Sequence, residues 1–296
     1  MSLRWMLAAA LLVPALPAVA EEARLAAVIT DPRLDEISGM AASRRHAGLF
    51  WVHNDSGDGP HLFAVDREGA VRAALTLDGA RNQDWEDMAS FEREGRAYLL
   101  VADTGDNGGI RDRLRLLLVE EPAGLGPDLR ARPLRTIEFR WPDGPRDCEA
   151  VAVDPDGRNA WLVAKKRVPP ELWRVPLDGD AGGVVVAERM GLLSGVLQPT
   201  AEDLARNPVY GRYRSQITAA DISADDRRFA VLNYRTAYVY QRRDGEDWAT
   251  ALAREPAELV LPWLPQAEAL ALDPDGGSAW ISSEKLPAPL LQVPIP

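Results

Sequence analysis

The sequence predicts an all-β fold: a single β-propeller of five four-stranded blades, or of six if one degenerate unit escapes the count. First, one pattern of strand, polar turn, second strand and charged cluster returns five times, and four antiparallel strands at such a period describe a propeller blade. Second, the turn Asp-Pro-Asp-Gly separates the first two strands in two of these units. Third, helical periodicity nowhere exceeds a turn or two, and the short helix predicted at Thr200 to Ala205 has Thr200 as its N-cap.

The beginning of the chain has the features of a secretory signal peptide. Arg4 supplies a positive charge, residues 5–13 are apolar, and Ala18-Val19-Ala20 is a small-x-small cleavage site. We therefore expect cleavage after Ala20, a periplasmic or secreted location, and one propeller domain over residues 21–296. No other segment approaches the length of a membrane-spanning helix.

Charge and cysteine content narrow the classes of partner. The net charge of −11 argues against nucleic acid and anionic membrane surfaces as general partners. We expect a monomer that takes a small anionic ester or phosphoester. Cys148 is the single cysteine, so an intrachain disulfide is excluded, and the residue is predicted to be small and buried rather than reactive.

The repeats align strand by strand. The first strands fall at residues 36–41, 86–89, 149–152, 218–222 and 268–271, and the second at 49–52, 98–101, 160–163, 229–232 and 279–281. Third strands follow at 62–65, 116–119, 172–175, 237–240 and 290–293, and fourth strands at 71–77, 135–141, 183–187 and 258–261. The fifth unit lacks a fourth strand. We expect residues 24–29 to supply it and so to close the ring.

The alignment predicts a polar mouth at one end of the propeller. One equivalent position, at the start of the first strand, holds Ser38, Glu86, Glu149, Thr218 and Glu268. Alternate loops of an up-and-down blade lie at the same end, so the ends of the second strands face the same mouth. These ends carry Asn54-Asp55, Asp103 to Asp106, Lys165-Lys166, Tyr234-Arg235 and Glu284-Lys285. Glu36, two residues before Ser38, would point the same way in a strand.

This predicted mouth has an acidic side and a basic side. Blades one and two bring mainly carboxylates and amides, including Asp-Ser/Thr-Gly-Asp at 55–58 and 103–106, whereas blades three and four and the insert between them bring lysines and arginines. Oxygen ligands suit a hard cation such as Ca²⁺, and a basic wall suits an anionic ester such as a phosphate. Two plainer interpretations remain open: ion pairs that neutralise the rim, and Asx-type turns that cap strand ends.

Several other chemistries lack their sequence signals. The three histidines, His46, His53 and His61, all lie in the first blade, and neither His-x-x-x-His nor Cys-x-x-Cys occurs, so a zinc site of ordinary spacing is not indicated. Gly-x-Ser-x-Gly is also missing. His53 could face the mouth as a general base, but a hydrogen-bonded structural role is the more usual one for such a residue.

Several motifs resemble a known family. The runs at 54–57, 84–87 and 103–107, with 217–222 and 266–269, resemble secreted bacterial propellers grouped as phytase-like (esterase-like activity of phytase). More distantly, the chain is similar to gluconolactonase-type propellers, which hold one divalent cation in the channel through carboxylate and amide ligands. That resemblance implies Glu86, Asp103, Glu149 and Glu268 as ligands. The chain departs from those relatives in having Ser38 and Thr218 at two of the Glu positions, and five counted blades instead of six.

The sequence therefore predicts a divalent-metal-dependent hydrolase of an ester or phosphoester, with Ca²⁺ as the preferred cation. Glu36 is a possible addition to the four implied ligands, and Glu86 or Asp103 would orient or deprotonate the attacking water. The predicted anion-binding residues are Lys165, Lys166, Arg214 and Arg235. The alternatives are a non-catalytic ligand- or partner-binding propeller of the cell envelope and a sugar-binding propeller.

Overall fold

The computed structural model describes residues 22–178, 182–206, 208 and 211–295. The predicted signal peptide lies outside these residues. Within them, the strands form five separate sheets. In the described part of the chain, no helix is long and apolar enough to cross a membrane.

Each sheet is one blade of antiparallel neighbours, listed from the channel outwards. Blade five ends on the first strand of the chain, β1 (Arg24–Ile29). Blade one has β2 (Ile37–Ala42), β3 (Leu49–Asn54), β4 (His61–Asp66) and β5 (Val71–Leu77). Blade two has β6 (Trp85–Arg93), β7 (Arg96–Asp103) and β8 (Leu114–Glu120), while β9 (Leu129–Ala131) pairs in parallel with β5, and β10 (Arg135–Arg140) completes blade two.

The second half of the chain continues the pattern. Blade three has β11 (Cys148–Val153), β12 (Asn159–Ala164) and β13 (Glu171–Pro176), then β14 (Val185–Val186) returns to pair with β10, and β15 (Glu188–Leu192) completes blade three. Blade four has β16 (Ile217–Ile222), β17 (Arg228–Asn233), β18 (Thr236–Gln241) and β19 (Ala257–Val260). Blade five has β20 (Ala267–Leu272), β21 (Ser278–Ser283) and β22 (Ala288–Pro294), and β22 pairs with β1. The helices are α1 (Ala201–Arg206), a 3-10 turn (Gly211–Ser215) and α2 (Trp248–Leu252).

The five-bladed propeller and its closure by the N-terminal strand are confirmed, and one strand assignment is wrong. Residues 183–187 were predicted to form the fourth strand of blade three. Instead Val185–Val186 pairs in parallel with β10 of blade two, and Glu188–Leu192 pairs with β13. The chain crosses between blades inside this short apolar run, so its composition alone does not show which edge it joins. The predicted N-cap of α1 is confirmed, since Thr200 Oγ1 accepts a hydrogen bond from the Asp203 amide at 3.0 Å.

The apolar core is divided into layers that lie between the blades. Five buried clusters each contain residues of two neighbouring blades, including the pair formed by blades five and one. Trp51, Trp161 and Trp280 lie in three of these layers, which fits the role of blade-packing residues. Cys148 is buried as predicted, and burial raises the pKa of its thiol. The inner strands β2, β6, β11, β16 and β20 are buried throughout and contact one another around the ring.

Every inner strand is bulged at the same place. In β6, Trp85 pairs with Asp103 and Asp87 pairs with Ala102, so that Glu86 is the extra residue between them. The ladder skips the corresponding residue in each other blade: Ser38, Glu149, Thr218 and Glu268. A β-bulge locally re-aims its extra side chain. The bulges therefore coincide with the position that the repeat alignment had made equivalent.

Buried polar side chains tie the inner strands to one another. Asp87 accepts hydrogen bonds from the backbone amides of Met88 (2.8 Å), of Val151 in blade three (2.8 Å) and of Ala220 in blade four (3.1 Å). Asp221 of blade four similarly accepts from Leu272 of blade five at 2.8 Å. Such contacts satisfy backbone groups that face the channel and not a ladder partner.

We expect Asp87→Ala to lower the free energy of unfolding by about 3 kcal/mol or more, because three buried amides lose their acceptor at roughly 1–3 kcal/mol each. Urea denaturation at neutral pH measures the change. Asp244→Ala is the control, because the Asp244 side chain is largely exposed and forms a surface ion pair with Arg227. The control should change stability by no more than about 0.5 kcal/mol, and equal losses in the two variants would contradict the role given to Asp87.

Burial raises the pKa of Asp221 from 3.8 to about 6, although Arg44 and two backbone amides oppose the shift. The folded state thus binds a proton more tightly than the unfolded state. The stabilisation from Asp221 is complete below about pH 4 and is lost as the pH rises through about 6. Asp221→Asn should remove this part of the pH dependence of unfolding, measured by urea titrations at pH 4.5 and 7.5. An unchanged dependence would contradict the assignment.

Candidate functional site

Three carboxylates without ion-pair partners converge at the mouth. Glu86 is the bulge residue of β6, Asp84 lies two residues before it, and Asp55 directly follows β3. One oxygen of each lies within 4.8 Å of the others. Glu86 is buried, whereas Asp55 and Asp84 are half-buried. None of the three forms an ion pair with a residue that the structure describes. We call Asp55, Asp84 and Glu86 the open acidic group.

The loop after β7 leaves room for this group. Gly105 donates a backbone hydrogen bond to the Asp84 carbonyl at 3.1 Å. A Cβ atom at Gly105 would collide with the Glu86 carboxylate and with the Asp84 side chain. The glycine in Asp-Thr-Gly-Asp is therefore required by a close approach of carboxylates to the backbone.

A second acidic group shares Glu86 but is neutralised. It contains Glu86, Asp147 and Glu149, each with one oxygen within 4.8 Å of the other two. Lys165 forms an ion pair with Glu149, and Lys166 forms one with Asp147 at 2.8 Å. Two carboxylates of this group therefore already have cationic partners, unlike those of the open acidic group.

Burial raises the pKa values of the open acidic group. Desolvation, followed by the nearby charges of Asp84 and Glu284, raises the pKa of Asp55 to about 6. Desolvation also raises the pKa of Asp84. The pKa of Glu86 is raised well above its usual value, first by burial and then by the Asp55 charge, and Lys165 offsets only part of this. These carboxylates would be stabilised by an additional positive charge.

Lys165 is the buried cation at the centre of the mouth. It directly follows β12, its ammonium pairs with Glu149, and its Nζ lies 5.5 Å from the centre of the Tyr234 ring. Its charge lowers the pKa values of Asp55, Glu86 and Glu268, but burial dominates in each case. This one side chain therefore compensates carboxylates from several blades.

Glu268 lies on the far side of Lys165. Burial, followed by a hydrogen bond to Glu284, raises its pKa well above the usual value. The Tyr234 hydroxyl donates a hydrogen bond to Glu268, and burial together with the Glu268 charge raises the pKa of Tyr234. The predicted ligand Glu268 thus belongs to the mouth but lies in neither acidic group within the described residues.

Asp103 is not where the predicted catalytic or ligand role requires it. Its side chain is completely buried, with Arg111 at 2.8 Å from Oδ1 and Arg115 at 2.7 Å from Oδ2. Both oxygens are therefore held by arginines, and Asp103 belongs to neither acidic group. The sequence pattern could not show this, because both arginines come from the following loop and strand.

The remaining predicted residues are spread around the rim. Glu36 is 48% exposed and pairs with Lys285, outside both acidic groups. Arg214 pairs with Asp203 at 2.7 Å. Arg235 is exposed and has no ion-pair partner among the described residues. The plainer prediction of rim ion pairs thus describes Glu36 and Arg214, but not the open acidic group.

Three residues of the two acidic groups were absent from the predicted ligand set: Asp55, Asp84 and Asp147. A signal for two of them exists in the sequence. Asp84 and Asp147 lie two residues before Glu86 and Glu149, so the alternation of strand side chains places each on the face of its neighbour. The same argument had been applied to Glu36 and Ser38 alone.

His53 has the structural role. It is buried, its ring packs edge-on against Trp85 with centroids 5.5 Å apart, and its Nδ1 lies 2.9 Å from the Asn54 carbonyl oxygen. Burial lowers its pKa. A neutral imidazole packed in this way is not presented to the mouth.

Comparison with known proteins supports no assignment of a family. No protein-family model and no curated protein matches the chain. Among solved structures, the chain is similar to the β-propeller domain of Myceliophteria thermophila Cps50 (Swd1), with 14% sequence identity and a TM-score of 0.41. The match covers 88% of this chain and 65% of that chain. A similarity of this size carries no argument about function.

We expect Lys165→Met to destabilise the protein by about 3–5 kcal/mol at pH 8, because several buried carboxylates lose their shared cation. At pH 5 the deficit should be smaller, because Asp55, Glu86 and Glu268 have raised pKa values and take up protons there. Urea denaturation at both pH values measures this. Lys166→Met is the matched control, since Lys166 is 42% exposed and should cost less. A deficit for Lys165→Met that does not change with pH would contradict the account.

Proposed function

We propose that the open acidic group binds a divalent cation, with Ca²⁺ as the first choice, and that the protein hydrolyses an ester or phosphoester at this mouth. The observation that carries the proposal is the convergence of Asp55, Asp84 and Glu86 within 4.8 Å without a cationic partner among the described residues. Burial and mutual repulsion both penalise these charges. A cation held between them would remove both costs.

The donor set fits a hard cation. All three donors are carboxylates, which Ca²⁺ prefers and which can each supply one or two oxygens. Asp55 and Asp84 are half-exposed, so water can complete the coordination. The Gly105 backbone leaves the space that the carboxylates occupy.

The roles of the chain's own residues follow from their positions. A bound divalent cation supplies Lewis acidity towards a substrate oxygen and lowers the pKa of a coordinated water. Glu86 belongs to both acidic groups, so its carboxylate would orient the attacking water between them. Lys166 and Arg235, which are exposed at the mouth, would bind the anionic end of the substrate. Asp103 has no part in this scheme, since its oxygens are held by arginines.

The same cation site would also serve a non-catalytic ligand- or partner-binding propeller of the cell envelope, and only an assay of hydrolysis separates the two. Membership of the phytase-like group and a periplasmic or secreted location belong to the proposal. The motif resemblance at 54–57, 84–87 and 103–107 supports the first, and the predicted cleavage site after Ala20 supports the second.

We expect the metal-free protein to bind Ca²⁺ in a calorimetric titration and to unfold at a higher temperature with Ca²⁺ than with EDTA. Glu86→Gln should weaken binding by at least about tenfold, because it removes a charged ligand at the centre of the group. Gly105→Ala should weaken it similarly, because the new methyl group displaces Glu86 and Asp84 while leaving every carboxylate in the chain.

The control for both variants is Glu36→Gln, because Glu36 lies outside the acidic groups and its loss should leave binding unchanged. Hydrolysis of 4-nitrophenyl phosphate and of a lactone, followed with and without EDTA, tests catalysis. A wild-type protein that binds no Ca²⁺ would overturn the proposal as a whole. A protein that binds Ca²⁺ but hydrolyses neither class would leave the non-catalytic alternative.

A further inference from the structure

A cleft of about 670 Å³ lies beside the mouth, between blades four and five. This volume is within the range of pockets that hold small organic ligands. Its described lining residues are Arg206, Tyr213, Tyr234, Arg235, Gln266 and the segment from Leu261 to Pro265. None of the acidic residues at the mouth lines this cleft.

Trp263 is an unusual residue of this cleft. Its side chain is 84% exposed, the highest value among the large apolar side chains described. Pro262 and Pro265 flank it and restrict its backbone. A large aromatic face held on a stiff segment can bind a planar group at a small entropic cost. The Tyr213 and Tyr234 rings, with centroids 5.9 Å apart and tilted by 41°, form a second aromatic surface in the same cleft.

The cleft also carries a positive charge that ion pairs do not cancel. Arg235 is exposed, and its guanidinium has no ion-pair partner among the described residues. The lining residues include no carboxylate. A free guanidinium next to aromatic rings suits an anion, which it can bind through two parallel hydrogen bonds.

Tyr234 connects this cleft to the acidic centre. Its hydroxyl donates to Glu268 and its ring lies over the Lys165 ammonium, while the ring also packs against Tyr213 in the cleft. One side chain thus forms the wall that both sites share. A ligand in the cleft would therefore lie directly beside the proposed cation site.

We infer that this cleft binds the aryl part of an aryl phosphate or a similar aromatic organic anion. The ring would stack on Trp263 and the tyrosines, and the anionic group would pair with Arg235. A neutral sugar is disfavoured, because the lining offers no carboxylate to bind its hydroxyls. The inference deepens the proposed function, on which the meaning of the cleft as a substrate site rests, by naming the substrate class.

The test uses the full-length mature protein in EDTA, titrated with phenyl phosphate, methyl phosphate and phenol by calorimetry. Phenyl phosphate should bind at least about tenfold more tightly than methyl phosphate or phenol, because only it has both the ring and the anion. Trp263→Ala and Arg235→Gln should each weaken its binding by about tenfold or more. Arg243→Gln is the charge-matched control, since Arg243 is exposed beyond the other end of β18, and it should bind like the wild type.

Equal affinities for the three probes would overturn the inference, and so would variants at Trp263 and Arg235 that bind like the control. Circular dichroism of each variant confirms that folding is retained, and the two variants act through different groups, so the loss of one by misfolding leaves the other informative. Because EDTA is present, failure of the cation site leaves these titrations unchanged. Failure of the cleft, in turn, leaves the Ca²⁺ titration unchanged.

Discussion

The bulge at the start of every inner strand is the constraint on which the mouth depends. At each bulge one residue has no ladder partner, and its side chain leaves the pleated surface. Where this residue is Ser38 or Thr218, the hydroxyl donates to a backbone carbonyl of the next blade, Glu86 or Ala267 respectively. Where it is glutamate, the carboxylate lies at the mouth. One repeated backbone irregularity thus supplies both ties between blades and the acidic centre.

The charge balance of the mouth follows from this geometry. Carboxylates from several blades are brought into a partly buried space, where desolvation raises the pKa values of Asp55, Asp84, Glu86 and Glu268. Lys165 neutralises Glu149 and partly offsets the others. The charge that remains is concentrated on the open acidic group. A cation there would complete a balance that the described side chains leave unfinished.

The repeat pattern was sufficient to predict the blade count, the closing strand and the shared position of Glu86, Glu149 and Glu268, because each depends on strand order alone. Sequence reasoning failed where the outcome depends on partners that are distant in the alignment. Asp103 has the composition of a ligand, but Arg111 and Arg115 hold its oxygens. The run 183–187 has the composition of a strand, but which blade edge it joins depends on competition between two neighbours. Asp55 becomes part of the site only because blades one and two are adjacent.

The most direct test of the cation site is a crystal structure of the protein soaked with Mn²⁺, an anomalous scatterer that takes oxygen ligands as Ca²⁺ does. The account predicts an anomalous peak bounded by carboxylate oxygens of Asp55, Asp84 and Glu86, with Lys165 still paired to Glu149. The absence of a peak at saturating Mn²⁺, or a peak only at exposed surface carboxylates, would contradict it.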